Sequence, residues 1–225
     1  MPQGNSMSSH LDQCRYNMVE QQVRPWDVLD DKVLNTLESI PRDQYVPAQY
    51  LNLAYADTAI PLNDSQNMMH PIIEGRLLQL LDIQPEDNIM EIGTGSGYLT
   101  ACLANMACHV ESVEIDEDLA SRAAQTLLEQ GVFNISLSCA NGLDLPDMNK
   151  KYNIIVLTGA INEIPESFKK ALTVKGKMFA VDGNAPAMTA HIITRTGDNE
   201  WSDERIFETV LNPLVHGEQK PEFTF

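Results

Sequence analysis

The feature that most constrains this chain is the run Glu91-Ile92-Gly93-Thr94-Gly95-Ser96-Gly97-Tyr98. Asn88–Ile92 before it reads as a short buried strand, and Tyr98 to Met106 after it reads as a helix. Closely spaced glycines at a strand-to-helix junction permit a tight turn and let a ligand approach bare backbone. A turn of this kind is used where helices pack on a sheet. The rest of the sequence must therefore supply alternating strands and helices.

It does. Val110–Ile115 reads as a second strand, and Asp118–Gln130 as a helix with Leu119, Ala123 and Leu127 on related faces. Residues 134–138 and 153–157 give further strands, Ile164–Leu172 a short helix closed by Gly176, and residues 177–182 a fifth strand. His191–Thr196 and Arg205–Leu211 follow with no helix between them. The pattern predicts an α/β, Rossmann-like fold with a mostly parallel sheet and an antiparallel C-terminal edge. Upstream, Leu29, Val33, Leu37 and Ile40 recur at helical spacing, with Asp27 as a candidate cap. Residues 57–71 are loop-like, and helical character returns at Ile72–Leu81. The expected organisation is a flexible N-terminus over residues 1–10, a helical extension with a loop over 11–71, and a core over 72–225.

Composition narrows the function classes. The net charge is −17, from 32 acidic and 15 basic residues. Nucleic-acid binding leans on a cationic surface that displaces counterions, so that class is excluded as an expectation. Anionic membranes would repel the chain as well. Cys14, Cys102, Cys108 and Cys139 are scattered, without metal-like spacing, and read as free thiols of a reducing compartment. No metal is expected. No apolar run has the length of a membrane span, and the first residues lack a signal-type apolar segment. The expected location is the cytoplasm.

The glycine spacing is G-x-G-x-G, not the G-x-G-x-x-G of dinucleotide sites, and no G-K-[ST] follows. The acidic Glu91 would sit badly beside a pyrophosphate. Glu114 ends the second strand, 17 residues after Gly97. A carboxylate there, beside Ile115, can accept from ribose hydroxyls. Read alone it could equally be a solvated strand end. Asn141-Gly142, after the third strand, offers an acceptor for an adenine amino group or a plain Asn-Gly turn. Thr158 follows the fourth strand. All these positions fall at carboxyl ends of strands, where open α/β sheets bind ligands. The combination fits S-adenosylmethionine, a nucleoside with a sulfonium and no phosphate, with S-adenosylhomocysteine as product. The cofactor residues expected are Glu91, Gly93, Thr94, Gly95, Ser96, Gly97, Tyr98, Glu114, Ile115, Asn141, Gly142 and Thr158.

The sequence also resembles the protein-L-isoaspartate O-methyltransferase family from about Arg42 to Gly217. The resemblance rests on Ile40-Pro41-Arg42 with Tyr45-Val46-Pro47, Ile60-Pro61-Leu62 and Met90 to Tyr98. It extends through Ser112-Val113-Glu114 and Glu163-Ile164-Pro165 to Pro213-Leu214-Val215. It implies methyl transfer to an isoaspartyl carboxylate in damaged proteins or peptides, and an N-terminal helical extension on the core. The family's substrate loop, G-Q-T-I-S-x-P, is altered here. In Ser65-Gln66-Asn67-Met68-Met69-His70-Pro71, Asn67 and Met69 occupy the two hydroxyl positions. The family's G-D-G becomes Ala140-Asn141-Gly142.

A carboxylate acceptor titrates near pH ~4 and is already ionised at neutral pH, so no general base is needed. Positioning is the main task. The resemblance then implies Asn67 and Met69, at the family's two hydroxyl positions, as the candidate catalytic positions that hold the acceptor, and Gln66, Met68 and His70 as the candidate substrate contacts. Met68 and Met69 read either as an adaptable apolar surface or as core packing under the loop. Arg76 is either a second cation for the acceptor or a surface residue. The altered loop also leaves open a small-molecule acceptor, or a cofactor-binding protein without catalysis. Oligomeric state is not readable from these motifs.

Overall fold

The computed structural model describes residues 4–144 and 150–217. The chain opens with α1 (Gly4–Asn17), which continues into a π-helical turn at Met18–Val23. Residues 4–10, expected as part of a flexible terminus, lie within α1, and residues 1–3 lie outside the described residues. The second helix, α2 (Asp31–Ser39), is capped by the Asp30 side chain, which accepts from the Lys32 amide at 2.8 Å. The expected cap, Asp27, instead adopts a left-handed conformation that ends the preceding turn. Entering the helix three residues later than expected lets Val33, Leu34 and Leu37 face the core together.

Two short strands, β1 (Ile60–Pro61) and β2 (Asn67–Met68), pair antiparallel within the stretch expected as loop. Asn63 organises the turn between them. Its side-chain oxygen accepts from the Ser65 and Gln66 amides, and its amide donates to Gln66 and to Asp116. Next comes α3 (Pro71–Leu81), with Pro71 at its first turn.

The alternating half follows as β3 (Asn88–Ile92), α4 (Tyr98–Met106), β4 (His109–Glu114), α5 (Glu117–Glu129), β5 (Ile135–Cys139) and β6 (Tyr152–Ile161). It ends with α6 (Glu166–Ala171), β7 (Leu172–Asn184), β8 (Ala187–Gly197) and β9 (Glu200–Thr209). The seven-stranded sheet has the order β5-β4-β3-β6-β7-β8-β9. Pairs from β5 to β7 are parallel, and β7-β8-β9 form an antiparallel meander. The expected Rossmann-like α/β class and antiparallel edge are both present. Gly176 does not close α6. It lies within β7, where a Cβ would press on the backbone oxygens of Asn153 and Thr173.

Strand order reverses between β3 and β6, so the chain segments leaving these neighbours diverge and open a crevice. Residues alternate along the strands between two apolar cores. Ile89, Ile154, Val156 and Phe179 join the larger core, which includes α2, α3 and α4. Met90, Ile155, Leu157 and Met178 join the smaller core with Phe168 of α6.

One buried charge pair ties the extension to this scaffold. Arg42 is fully buried and pairs with Glu74 of α3. It also donates to the Met69 carbonyl at 2.7 Å and lies 4.6 Å from the Tyr98 ring centroid. Burial pushes the Glu74 carboxyl up to about 7, with Arg42 opposing the rise. Removing one partner of such a pair strands a charge. Arg42→Met should destabilise the protein by about 3–5 kcal/mol in urea unfolding. The double variant Arg42→Met/Glu74→Leu should recover most of that loss, because two apolar side chains replace the pair.

Candidate active site

The turn at residues 93–97 emerges from β3 at the switch point. Gly93 and Gly95 have φ of +95° and +57°. Side chains resist this conformation. A Cβ on Gly93 would also collide with the Thr158 hydroxyl, and one on Gly95 would stand 3.1 Å from Leu62. Three residues from the two neighbouring strands, β4 and β6, fix the turn. The Gly93 amide donates to the Val113 carbonyl at 2.8 Å. Thr158 donates to the carbonyls of Ile92 and Gly93 at 2.9 and 2.8 Å. The Gly95 amide donates to Glu114 Oε2 at 2.8 Å.

Glu114 is buried at the tip of β4. Its other oxygen, Oε1, accepts from the Ile115 and Asp116 amides at 2.9 and 3.0 Å. A carboxylate offers about four lone-pair sites, so three amides orient it and leave about one for a ligand hydroxyl.

Two cavities meet at this carboxylate. The larger, about 80 Å³, is bounded by the glycine turn, Glu74, the β2 loop and the Asn212–Leu214 segment. The smaller, about 30 Å³, adds Ile115, Asn141 and Gly142. Gln66, Gly93 and Glu114 wall both. A third cavity of about 50 Å³ shares Asn67, Met68, Met69 and Thr158 with the larger one and adds His70. Among the described residues, the only charged side chains in the larger and smaller cavities are carboxylates, Glu74 and Glu114. No described lysine or arginine lines either. Such walls suit a cationic, phosphate-free ligand and reject a pyrophosphate.

Most of the sequence-predicted residues therefore converge. Gly93, Thr94, Gly95, Ser96, Glu114, Ile115, Asn141, Gly142 and Thr158 line the paired cavities, as does Gln66. Three do not. Glu91 points to the opposite side of the strand end, beneath α4. It accepts there from Thr100 at 2.5 Å and Ser112 at 2.6 Å. The single Ser112 proton goes to Glu91, so the Thr94 hydroxyl must donate to Ser112, 2.6 Å away. Glu91 thus steadies the turn from behind through Ser112 and Thr94. Tyr98 is buried in the core, edge-on to Tyr45 and beneath Arg42, and does not reach the cavities. Gly97 packs against Leu127.

Asn141 lines the smaller cavity, but its own turn occupies its side chain. The oxygen accepts from the Leu143 amide at 3.2 Å, and the amide donates to Asp144 at 2.8 Å. On the loop, Asn67 is exposed and Met68 and Met69 are buried, Met68 opposite Ile60. The methionines thus pack beneath the loop and also present apolar surface to the larger cavity. His70 contacts Asp57 at 3.5 Å. Arg76 faces away and stacks 3.8 Å from the Phe207 ring centroid on β9. Sequence reading missed Glu74 and Asn212. Asn212 donates to the Ser65 carbonyl at 2.8 Å and so clamps the loop to the C-terminal segment. Nothing in the spacing of either residue marks it, because both reach the site only through tertiary packing.

Compared with known families, residues 14–219 match protein-L-isoaspartate(D-aspartate) O-methyltransferase. The chain belongs to the protein-L-isoaspartate O-methyltransferase family. A member from Aliivibrio salmonicida is 32% identical over 204 residues, covering 91% of this chain and 97% of its own length. A Gloeobacter violaceus member is 34% identical over 206 residues, covering 91% and 99%. Among solved structures, a protein assigned to this methyltransferase group from Plasmodium falciparum, in complex with S-adenosyl-L-homocysteine, superposes with a TM-score of 0.78. It is 20% identical and covers 89% of this chain. Among the described residues of this family member, no helix is long and apolar enough to cross a membrane.

Full burial of Glu91 pushes its carboxyl up to about 7, against the opposing hydrogen bonds from Ser112 and Thr100. A carboxyl raised from about 4.5 favours the folded state when protonated, so its contribution is present below the unfolded value. That contribution is lost as pH rises through about 7. Urea unfolding at pH 5 and pH 8 should therefore show wild type losing stability relative to Glu91→Gln as pH rises. An unchanging gap between the two proteins would contradict this.

Proposed function

We propose that this protein transfers a methyl group from S-adenosylmethionine to the carboxylate of isoaspartyl residues in damaged proteins or peptides, in the cytoplasm. The observation that carries the reading is the joining of the glycine turn and the Glu114 carboxylate at one acidic crevice. Membership of the family supports the reaction. The walls fit the cofactor, since the turn presents bare backbone at Gly93 and Gly95 and the crevice holds carboxylates where a sulfonium needs counter-charge.

Glu114 would hold a ribose hydroxyl, with the Gly95, Ile115 and Asp116 amides keeping its carboxylate in place. Ile115 and Gly142 would flank the adenine in the smaller cavity. When bound, S-adenosylmethionine supplies a methyl group on a positively charged sulfur, open to in-line displacement. The acceptor carboxylate needs no deprotonation, so the chain's work is alignment and exclusion of water. Asn67, exposed at the mouth of the larger cavity, offers an amide to orient the acceptor. Met68 and Met69 wall the cavity with apolar surface and keep water out. His70, which lines the adjoining cavity with the same loop, offers a ring nitrogen to the acceptor.

A labelled-methyl assay with an isoaspartyl peptide and its aspartyl twin tests the reading. Base-labile label should enter the isoaspartyl peptide alone. Tight cofactor binding without label in that peptide would redirect the search to another acceptor. Glu114→Ala should weaken S-adenosylhomocysteine binding on calorimetry by at least about tenfold, the worth of one charge-assisted hydrogen bond. Asn67→Thr/Met69→Ser should raise kcat/KM for the isoaspartyl peptide up to about tenfold, the scale of one added hydrogen bond.

A further inference from the structure

Glu74 is a charged residue in the crevice that neither the glycine turn nor the strand tips supply. It projects from α3, one turn after Pro71, and is buried, yet it lines the larger cavity beside Gly93, Gly95 and Leu99. Arg42 engages only its Oε2. Arg42 itself is fully buried and does not reach the cavity wall. The cavity is therefore walled by Glu74 and not by its partner.

The cofactor is an extended molecule, and the geometry gives it a direction. The smaller cavity, with Ile115, Asn141 and Gly142, lies on one side of Glu114. The larger cavity lies on the other, with Glu74. With adenine in the smaller cavity and ribose at Glu114, the amino-acid tail must enter the larger one. That tail carries an ammonium and a carboxylate. Among the described residues, Glu74 is the only charged side chain besides Glu114 that it can meet, and the remaining polar groups there, such as Asn67, Thr158 and Asn212, are neutral.

Resting on the cofactor assignment above, we propose that Glu74 binds the ammonium of the cofactor's amino-acid tail and makes this protein selective for cofactors that carry it. The environment favours such a partner. Burial raises the Glu74 carboxyl to about 7 even with Arg42 beside it, so one cation leaves it under-compensated. A second cation arriving from the cavity supplies the balance. The neutral amide of Asn212 remains for the tail carboxylate.

The test pairs a ligand change with a residue change. S-adenosylhomocysteine and its analogue lacking the amino group are titrated by calorimetry into wild type, Glu74→Gln and Arg42→Met/Glu74→Leu. The double variant removes both charges and serves where the single one fails to fold. In wild type the deaminated analogue should bind at least about tenfold more weakly, and both variants should shrink that difference to about twofold or less. Wild type binding both nucleosides equally well would overturn the Glu74 assignment alone. So would variants that keep the full discrimination while weakening both ligands alike. Wild type binding neither nucleoside would overturn the cofactor reading beneath it.

Discussion

The structure depends on one backbone turn at residues 93–97 held in a conformation that its own sequence tolerates but does not enforce. Glycine permits positive φ at 93 and 95, yet permission carries an entropic cost in the unfolded chain. The hold comes from elsewhere: the Glu114 carboxylate on the Gly95 amide, the Thr158 hydroxyl on two carbonyls, and the Val113 carbonyl on the Gly93 amide. These partners arrive from β4 and β6, the two strands that flank β3. A parallel sheet with a reversal at β3 is therefore what makes the turn a site. The same hydrogen bonds that shape the crevice also orient Glu114 within it.

Polar groups beneath the turn add a second level of support. Glu91, Thr100, Ser112 and Thr94 are all buried and bonded in sequence from α4 through the strands to the turn. Buried polar groups without partners are costly, and a connected set rigidifies what it touches. Arg42 plays the corresponding part for the loop, since its guanidinium binds the Met69 carbonyl and Glu74 together. Arg42 thus positions the loop around Met69 through a buried cation. Asn212 fixes the same loop from the C-terminal side. The loop that departs from the family pattern at Asn67 and Met69 is therefore restrained from both ends of the chain.

Much of this was legible in order. The limits of β3 and α4 follow from an apolar run and a helical run on either side of the glycines, and the antiparallel edge follows from successive strands without a helix between them. Glu114 was legible because it sits at a fixed step beyond the glycine turn, at the end of an apolar strand. Errors fell where local signals compete. Asp27 and Asp30 are both plausible caps, and packing of Val33 and Leu37 selects the second. Gly176 looks like a helix stop, but it serves β7, where close backbone approach admits no side chain. Residues 57–71 carry too few apolar positions to announce the β1–β2 pair, which Asn63 builds through its own turn.

The sequence by itself determined the elements and the turn, because periodicity, glycine placement and strand-end acids are local properties. Tertiary structure alone decided that Glu74 faces the crevice and Glu91 does not. Glu91, adjacent to the glycines, is turned under α4 by strand alternation, whereas Glu74, on a different helix, is brought to the cavity wall. Side-chain direction along a strand is fixed by its pleat, but the distance between α3 and β3 is fixed only when the apolar cores close. That closure buries Arg42 against Glu74 and sets an acidic wall opposite Glu114, a juxtaposition that no spacing in the chain encodes.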